Sequence, residues 1–414
     1  MERKTRNKLL IALSAVGPGL FLIGYNIGTG SVTTMAKAGA EYGMTLFWAL
    51  ILSCIFTYIL MVAYGQMTLT STNTALHNIK NKLRGGKVLA IYIIITLIIG
   101  EILALIGIMG IVAELVQEGI RLFSGERGTI VNTFWIILVF ATMLYFLLWF
   151  GRYKMFEKIL TVFVILMAIC FIAVFFMVRP SFSAIFAGMV PGIPETPGAF
   201  RLVAAMVGTT ASAAVFIMRS TVVKEKGWTI KDLGTEKRDA LTSAGMMLLL
   251  SAIIMAVSAG TLHIMGLKLD TTIEMIRLFE PLGGQFAAFL LILGITGAGL
   301  STIFPIVLIA PWLISDYTGR PRNIKSPMYR ILIMGGLIFA FGSVFLEQTP
   351  PILMVFSQAF QAAILPAVAI PVFLLLNRQD VMNTHLPSTR MNAGLIAVII
   401  FSLVTTYYAI LGFM

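Results

Sequence analysis

Apolar residues in this chain run on in long stretches, with little of the alternation that marks a half-buried strand. Stretches approaching ~20 apolar residues recur about eleven times, each long enough to cross a bilayer as a helix. The pattern predicts helices over 9–39, 44–70, 88–115, 132–150, 156–178, 200–222, 239–265, 282–311, 329–346, 350–376 and 392–413. Two of them carry an interruption at mid-span. The first contains Gly28-Thr29-Gly30-Ser31, and the sixth contains Gly208-Thr209-Thr210-Ala211-Ser212. Glycine, β-branched and hydroxyl residues weaken a helix there. Non-helical backbone at that depth is tolerated only where it lines a cavity. Interrupted segments at matching places in two halves therefore point to a transporter's binding site. A proline-containing stretch over 179–199 (Pro180, Pro191, Pro194, Pro197) divides the chain after the fifth helix.

Composition narrows the class. Of 414 residues, 58% are hydrophobic and 12% charged, against about 25% charged in soluble domains. This excludes a soluble enzyme, a nucleic-acid-binding domain and an outer-membrane barrel, whose strands alternate in short segments. The formal charge of +12 is distributed by loop. Alternate connections, with the N-terminus, hold 23 of the 30 basic residues and eight acids. The opposite connections hold seven basic residues and nine acids. By the positive-inside rule the N-terminus is expected in the cytoplasm and the C-terminus outside, in a multi-pass plasma-membrane protein. Eleven crossings satisfy that orientation. Cys54 and Cys170 lie inside apolar runs and suggest neither a disulfide nor a metal site. The basic N-terminus lacks an A-x-A cleavage pattern, so the first helix is expected to be retained.

The run Gly24-Tyr25-Asn26-Ile27-Gly28-Thr29-Gly30-Ser31, then Ala38-Gly39 and Gly43-Met44-Thr45-Leu46-Phe47-Trp48, resembles the start of the NRAMP divalent-metal transporters. Their first helix breaks at D-P-G-N and is followed by A-G-x-x-(Y/F)-G-Y-T-L-L-W. In the tenth helix Ser357-Gln358, Leu365-Pro366 and Ile370-Pro371 match the family's S-Q…L-P…I-P spacing. The resemblance covers essentially the whole chain. It implies an all-α LeuT-type fold of eleven transmembrane helices in a 5+5 inverted repeat, with helices 1 and 6 interrupted. The implied divisions are 1–178 for the first repeat, 179–199 for the outer loop, 200–376 for the second repeat and 377–414 for the additional helix.

The chemistry departs from the family. Aligned without gaps, the metal-binding Asp of D-P-G-N falls on Gly28 and the Asn on Ser31. The sixth-helix motif G-A-T-V-M-P-H-N falls on Gly208 to Val215, so its metal-binding Met becomes Ser212. In the third helix Glu101 matches a family acid, while the relay Asp and Glu fall on Ile108 and Ile111, with Glu114 as a shifted alternative match. Glu101, an ionisable residue within a span, is the coupling candidate. The expected substrate site is Asn26, Gly28, Thr29, Ser31, Thr209, Thr210, Ser212, Gln358 and Gln361, with Tyr25 and Phe216 as nearby aromatics. Such a neutral, donor- and acceptor-rich set suggests an uncharged polar solute, most simply a monosaccharide such as glucose, moved without proton coupling. The alternative is a divalent cation, hydrated Mg²⁺ or Mn²⁺, whose waters meet neutral oxygens. A sensor that binds without translocating has no cytoplasmic domain to support it. The expected partners are a small solute and the lipid bilayer, with no cofactor, resident metal or nucleic acid.

Overall fold

The computed structural model describes residues 28–124, 131–150, 153–196, 198–346 and 349–413. Among them the chain is helical and contains no strand. The first span is represented by its second half, α1 (Thr29–Tyr42). There follow α2 (Phe47–Ser71), a short α3 (Ala75–Lys82), and α4 (Gly86–Ser124). Next come α5 (Thr133–Trp149), α6 (Tyr153–Val178) and a short α7 (Phe182–Ala187) in the outer loop. The sixth span is divided into α8 (Ala199–Thr210) and α9 (Ala213–Glu225). Beyond it lie α10 (Leu233–Gly260), α11 (Thr272–Ile276) and α12 (Gly284–Thr318). The chain closes with α13 (Pro327–Phe339), α14 (Gly342–Phe345), α15 (Pro350–Ile364), α16 (Pro366–Leu376), α17 (Gln379–Met382) and α18 (Thr389–Phe413).

These bounds follow local rules. Ser326 caps α13 by accepting from Tyr329 N, with Pro327 at the first helical position. Gly319 ends α12 in the left-handed region at φ 72°. Pro366 and Pro371 interrupt the backbone ladder of the tenth span, which divides into α15 and α16 at Leu365. Among the described residues the expected elements are present. Helices α4 and α12 run longer at their C-terminal ends than predicted and α10 starts earlier, while 9–27 of the first predicted helix lie outside the described residues. At 39 residues, α4 is about 58 Å long, so it tilts or projects beyond a ~30 Å hydrocarbon layer.

Among the described residues eight stretches are long and apolar enough to cross a membrane, with two shorter apolar helices beside them. The predicted count of eleven rests partly on residues before 28, outside the described residues. Burial sorts centre from periphery. In an 18-residue apolar stretch of the Ala199–Glu225 span 89% of the residues are buried within the protein, against 22% in the Pro327–Phe345 span. The sixth span is thus central, and α13 presents Ile331 and Ile338 outward, as lipid contact requires. Helix α8 packs on α15, and α4 on α12 and α15. Gly208 permits the first contact, because a Cβ there would collide with Gln358 O. Tyr64 Oη donates to Val368 O at 2.8 Å, tying α2 to α16.

Two loop charges are displaced from their expected setting. Lys37 is buried, 2.6 Å from both Glu41 and Asp270, and joins α1 to the segment before α11. Arg219, assigned by the loop pattern to a connection, is fully buried within α9.

Candidate functional site

The sixth span unwinds over a shorter stretch than the sequence suggested. Gly208, Thr209 and Thr210 stay helical, and the break falls at Ala211 (φ −113°, ψ 50°) and Ser212 (φ −62°, ψ 127°). Opposite it, Gly28 is extended (φ −95°, ψ −169°) and Thr29 begins α1. Between these points lies a cavity of about 30 Å³. It is lined by Gly28, Gly30 and Ser31 from the first span and Thr209 and Ser212 from the sixth. Helix α4 contributes Glu101, Ala104 and Ile108; α12 contributes Thr302 and Ile306; α15 contributes Met354, Gln358 and Gln361.

Seven expected residues are therefore brought together: Gly28, Ser31, Thr209, Ser212, Gln358, Gln361 and Glu101. Others are placed differently. Thr29 Oγ1 donates to Ile295 O in α12 at 3.4 Å. Thr210 donates to Met206 O at 2.8 Å and also bonds Ser53 Oγ, joining α8 to α2. Phe216 is fully buried and stacks 6.1 Å from Tyr64. Tyr25 and Asn26 lie outside the described residues.

Two oxygens in this cavity have no hydrogen-bond partner. Ser212 is the N-cap of α9, where a serine ordinarily accepts from a backbone N–H two or three residues on. Here it makes no capping bond, and its buried Oγ is left unpaired. Gln361 Nε2 donates to Glu101 Oε1 at 2.8 Å, which leaves Gln361 Oε1 buried and unpaired. An unsatisfied buried polar atom costs about 1–3 kcal/mol. Two at one cavity are accounted for by a water that donates to them or a cation that they coordinate. Ser31 Oγ and Thr209 Oγ1 lie 2.8 Å apart and join the first and sixth spans across the wall. The positive helix ends at Thr29 and Ala213 face the break, as does the negative end of α8. Among the lining residues Glu101 supplies the one carboxylate.

Structure also explains why residue 28 carries no side chain. A Cβ at Gly28 would collide with Thr302 Oγ1. The α12 hydroxyl fills the volume that an acidic side chain at 28 would need. Thr302 and Met354 were missed in sequence because each stands in an apolar run with no motif around it. Met354 brings a thioether residue into the wall from one turn before Gln358, whereas the sixth span presents Ser212 there. Among the described residues no group of three His, Cys, Asp or Glu side chains is arranged to hold a metal ion.

The natural resistance-associated macrophage protein-like (Nramp) family model matches residues 19–412. A divalent metal cation transporter MntH of Deinococcus radiodurans is 22% identical over 90% of this chain and 83% of its own. MntH of Staphylococcus aureus is 24% identical over 97% of this chain and 92% of its own. A crystal structure of an Eremococcus coleocola manganese transporter variant superposes with a TM-score of 0.74 at 14% identity, covering 95% of this chain and 85% of the other. The fold is thus of the LeuT type, in a multi-pass membrane protein. The monosaccharide expectation is overturned: the family match and the curated relatives point to metal cations. Physically, a cavity of about 30 Å³ holds one or two waters, far below the ~300–1,000 Å³ of typical small-molecule pockets.

Proposed function

Because the chain belongs to the Nramp family, we propose that this membrane-embedded transporter of a small solute carries a divalent metal cation, taken with part of its water shell. The observation that carries this reading is the convergence of two unpaired buried oxygens, Ser212 Oγ and Gln361 Oε1, on a cavity lined by Glu101. Carboxylate, amide, hydroxyl and water oxygens suit hard cations such as Mg²⁺ and Mn²⁺. Mg²⁺ in particular gives up its waters reluctantly, and the space admits one or two of them. Glu101 supplies charge, Ser212 and Gln361 supply oxygen ligands, and Gln358, Ser31 and Thr209 hold the retained water.

Relatives named as divalent metal cation and manganese transporters support the cargo. The departure from the family motif at Gly28 and Ser212 falls on ligand type, so selectivity between hard and softer divalent ions is where this chain differs. Access alternates as the halves of the sixth span hinge at Ala211–Ser212. The N-terminus faces the cytoplasm of the cell, on the loop-charge asymmetry.

Purified protein in sealed vesicles, with an internal fluorescent indicator, tests this directly. Saturable entry of Mg²⁺ or Mn²⁺ is expected, falling at least tenfold in Glu101→Gln. Folded protein that passes neither ion would overturn the proposal.

A further inference from the structure

Glu101 borders a second space besides the polar cavity. Between α4, α12 and α13 lies a hollow of about 300 Å³, and the residues lining it are apolar apart from Glu101. Leu105 of α4 and Ile306 of α12 are buried in its wall, whereas Ile331 and Phe339 of α13 are 62% and 52% exposed. The hollow therefore reaches from the protein interior at Glu101 out to the surface.

Its origin lies in two glycines of α13. Small residues in a membrane helix ordinarily let a neighbouring backbone come close, as Gly208 does for α8 and α15. Gly335 and Gly336 do not serve that purpose. A Cβ at Gly335 meets nothing within 4 Å, and one at Gly336 meets only Val307, at 3.8 Å. Among the described residues, neither α4 nor α12 takes up the room these glycines leave.

The opening is continuous with the lipid-facing surface. On α4, Ile95 and Ile99 are exposed, and three residues beyond each of them Ile98 and Ile102 line the hollow. Helix α13 belongs to the least buried of the membrane-length spans among the described residues. Its Phe339 also lines a second apolar hollow, with Phe134, Ile338 and Phe345. The two hollows meet at Phe339 and form a trough beside α13. From Ile331 to Phe339 the helix covers about 12 Å, close to the ~15 Å depth of one leaflet, half of a ~30 Å hydrocarbon core. Water does not fill such a space, because an apolar cavity stays dry and takes apolar ligands. Left empty, it forfeits dispersion contacts along its walls. The apolar material that surrounds its mouth is the hydrocarbon of the bilayer.

We propose that an acyl chain of a bilayer phospholipid enters this hollow beside α13 and ends against Leu105 and Ile306. The chain occupies the volume left by Gly335 and Gly336 and closes the lipid side of Glu101 to water. The carboxylate then meets water and cation through the polar cavity alone. That consequence for Glu101 rests on the proposed function; the acyl-chain site does not.

The test reads lipid contact rather than flux. The full chain is reconstituted in vesicles of phosphatidylcholine that carries a diazirine near the end of one acyl chain. After photolysis, labelled residues are mapped by peptide mass spectrometry. Ile95 and Ile338 face outward, report ordinary contact with the bilayer and should label in every variant. Leu105 and Ile306 are buried, so label there requires a chain inside the hollow. Label at both is expected in the wild type and in Gly335→Ala, whose methyl group is too small to fill the space. It should be lost in Gly335→Leu. Ala310→Leu fills the hollow from α12 and serves where Gly335→Leu folds poorly. Wild-type label confined to Ile95 and Ile338 would mean that the hollow is empty or filled by another part of this chain, and would overturn the proposal. Inner label that survives in both folded, filled variants would overturn it equally. Inner label in a folded wild type that passes no divalent ion would keep the acyl-chain site and refute the transport reading.

Discussion

Glu101 and Gln361 come from α4 and α15, and their 2.8 Å bond joins two walls of the cavity. Gln361→Leu removes the Nε2 donor from Glu101 Oε1 and should cost about 1.5–3 kcal/mol, the range for a bond to a charged group. The double variant Glu101→Leu/Gln361→Leu should recover much of that stability, since replacing both partners by apolar groups is nearly neutral. Divalent flux should not return with it. Unfolding transitions and flux for the four proteins of this cycle separate the structural role from the transport role; stability and flux recovering together would contradict the assignment. At this scale the sequence was informative where a residue type is costly in a membrane. Glu101, Gln358 and Gln361 stood out because buried amides and acids need a reason. Thr29 and Thr210 looked identical to Ser31 and Thr209, and rotation about a helix axis decides which hydroxyl meets a cavity. Thr302 could not be found, because its meaning lies in the side chain that Gly28 lacks.

Elements were more legible than contacts. Apolar run length locates a span, and Pro327, Gly319 and Pro366 mark ends by fixed rules, so among the described residues the predicted spans are found, with bounds that shift by up to nine residues. The break was placed too early, since Gly208 suggested weakness where it provides clearance. Its missing Cβ lets α8 lie against Gln358 O and Ala362 N of α15. Gly208→Ala should therefore separate the two helices, lower stability by about 1–3 kcal/mol and displace Gln358. Gly245→Ala is the matched control, because a Cβ there meets nothing within 4 Å. Within a helix that change should be neutral or stabilising by up to about 1 kcal/mol. Thermal unfolding of both variants checks the pair, and equal effects would show that the α8–α15 approach is not limiting.

Across the whole molecule, loop charge is the orientation signal, and two of its contributors are not loop charges at all. Arg219 and Lys37 are buried ion-pair members. Setting both aside leaves the excess of basic residues on one side intact. Single cysteines make this measurable, as Cys54 and Cys170 are both buried. With an impermeant thiol reagent on intact cells, Glu195→Cys should label and Lys231→Cys should label only after permeabilisation. The reverse pattern would invert the proposed orientation. The cavity has one further consequence for the cell. On the proposed function, a chamber whose lining holds one carboxylate, the rest of its polar groups neutral, is a shallow well for a dication. Passage requires binding strong enough to enter and weak enough to leave, and a shallow well favours departure. Such a carrier suits a cargo that is abundant around the cell, where turnover matters more than capture. It is poorly suited to scavenging a trace metal during scarcity.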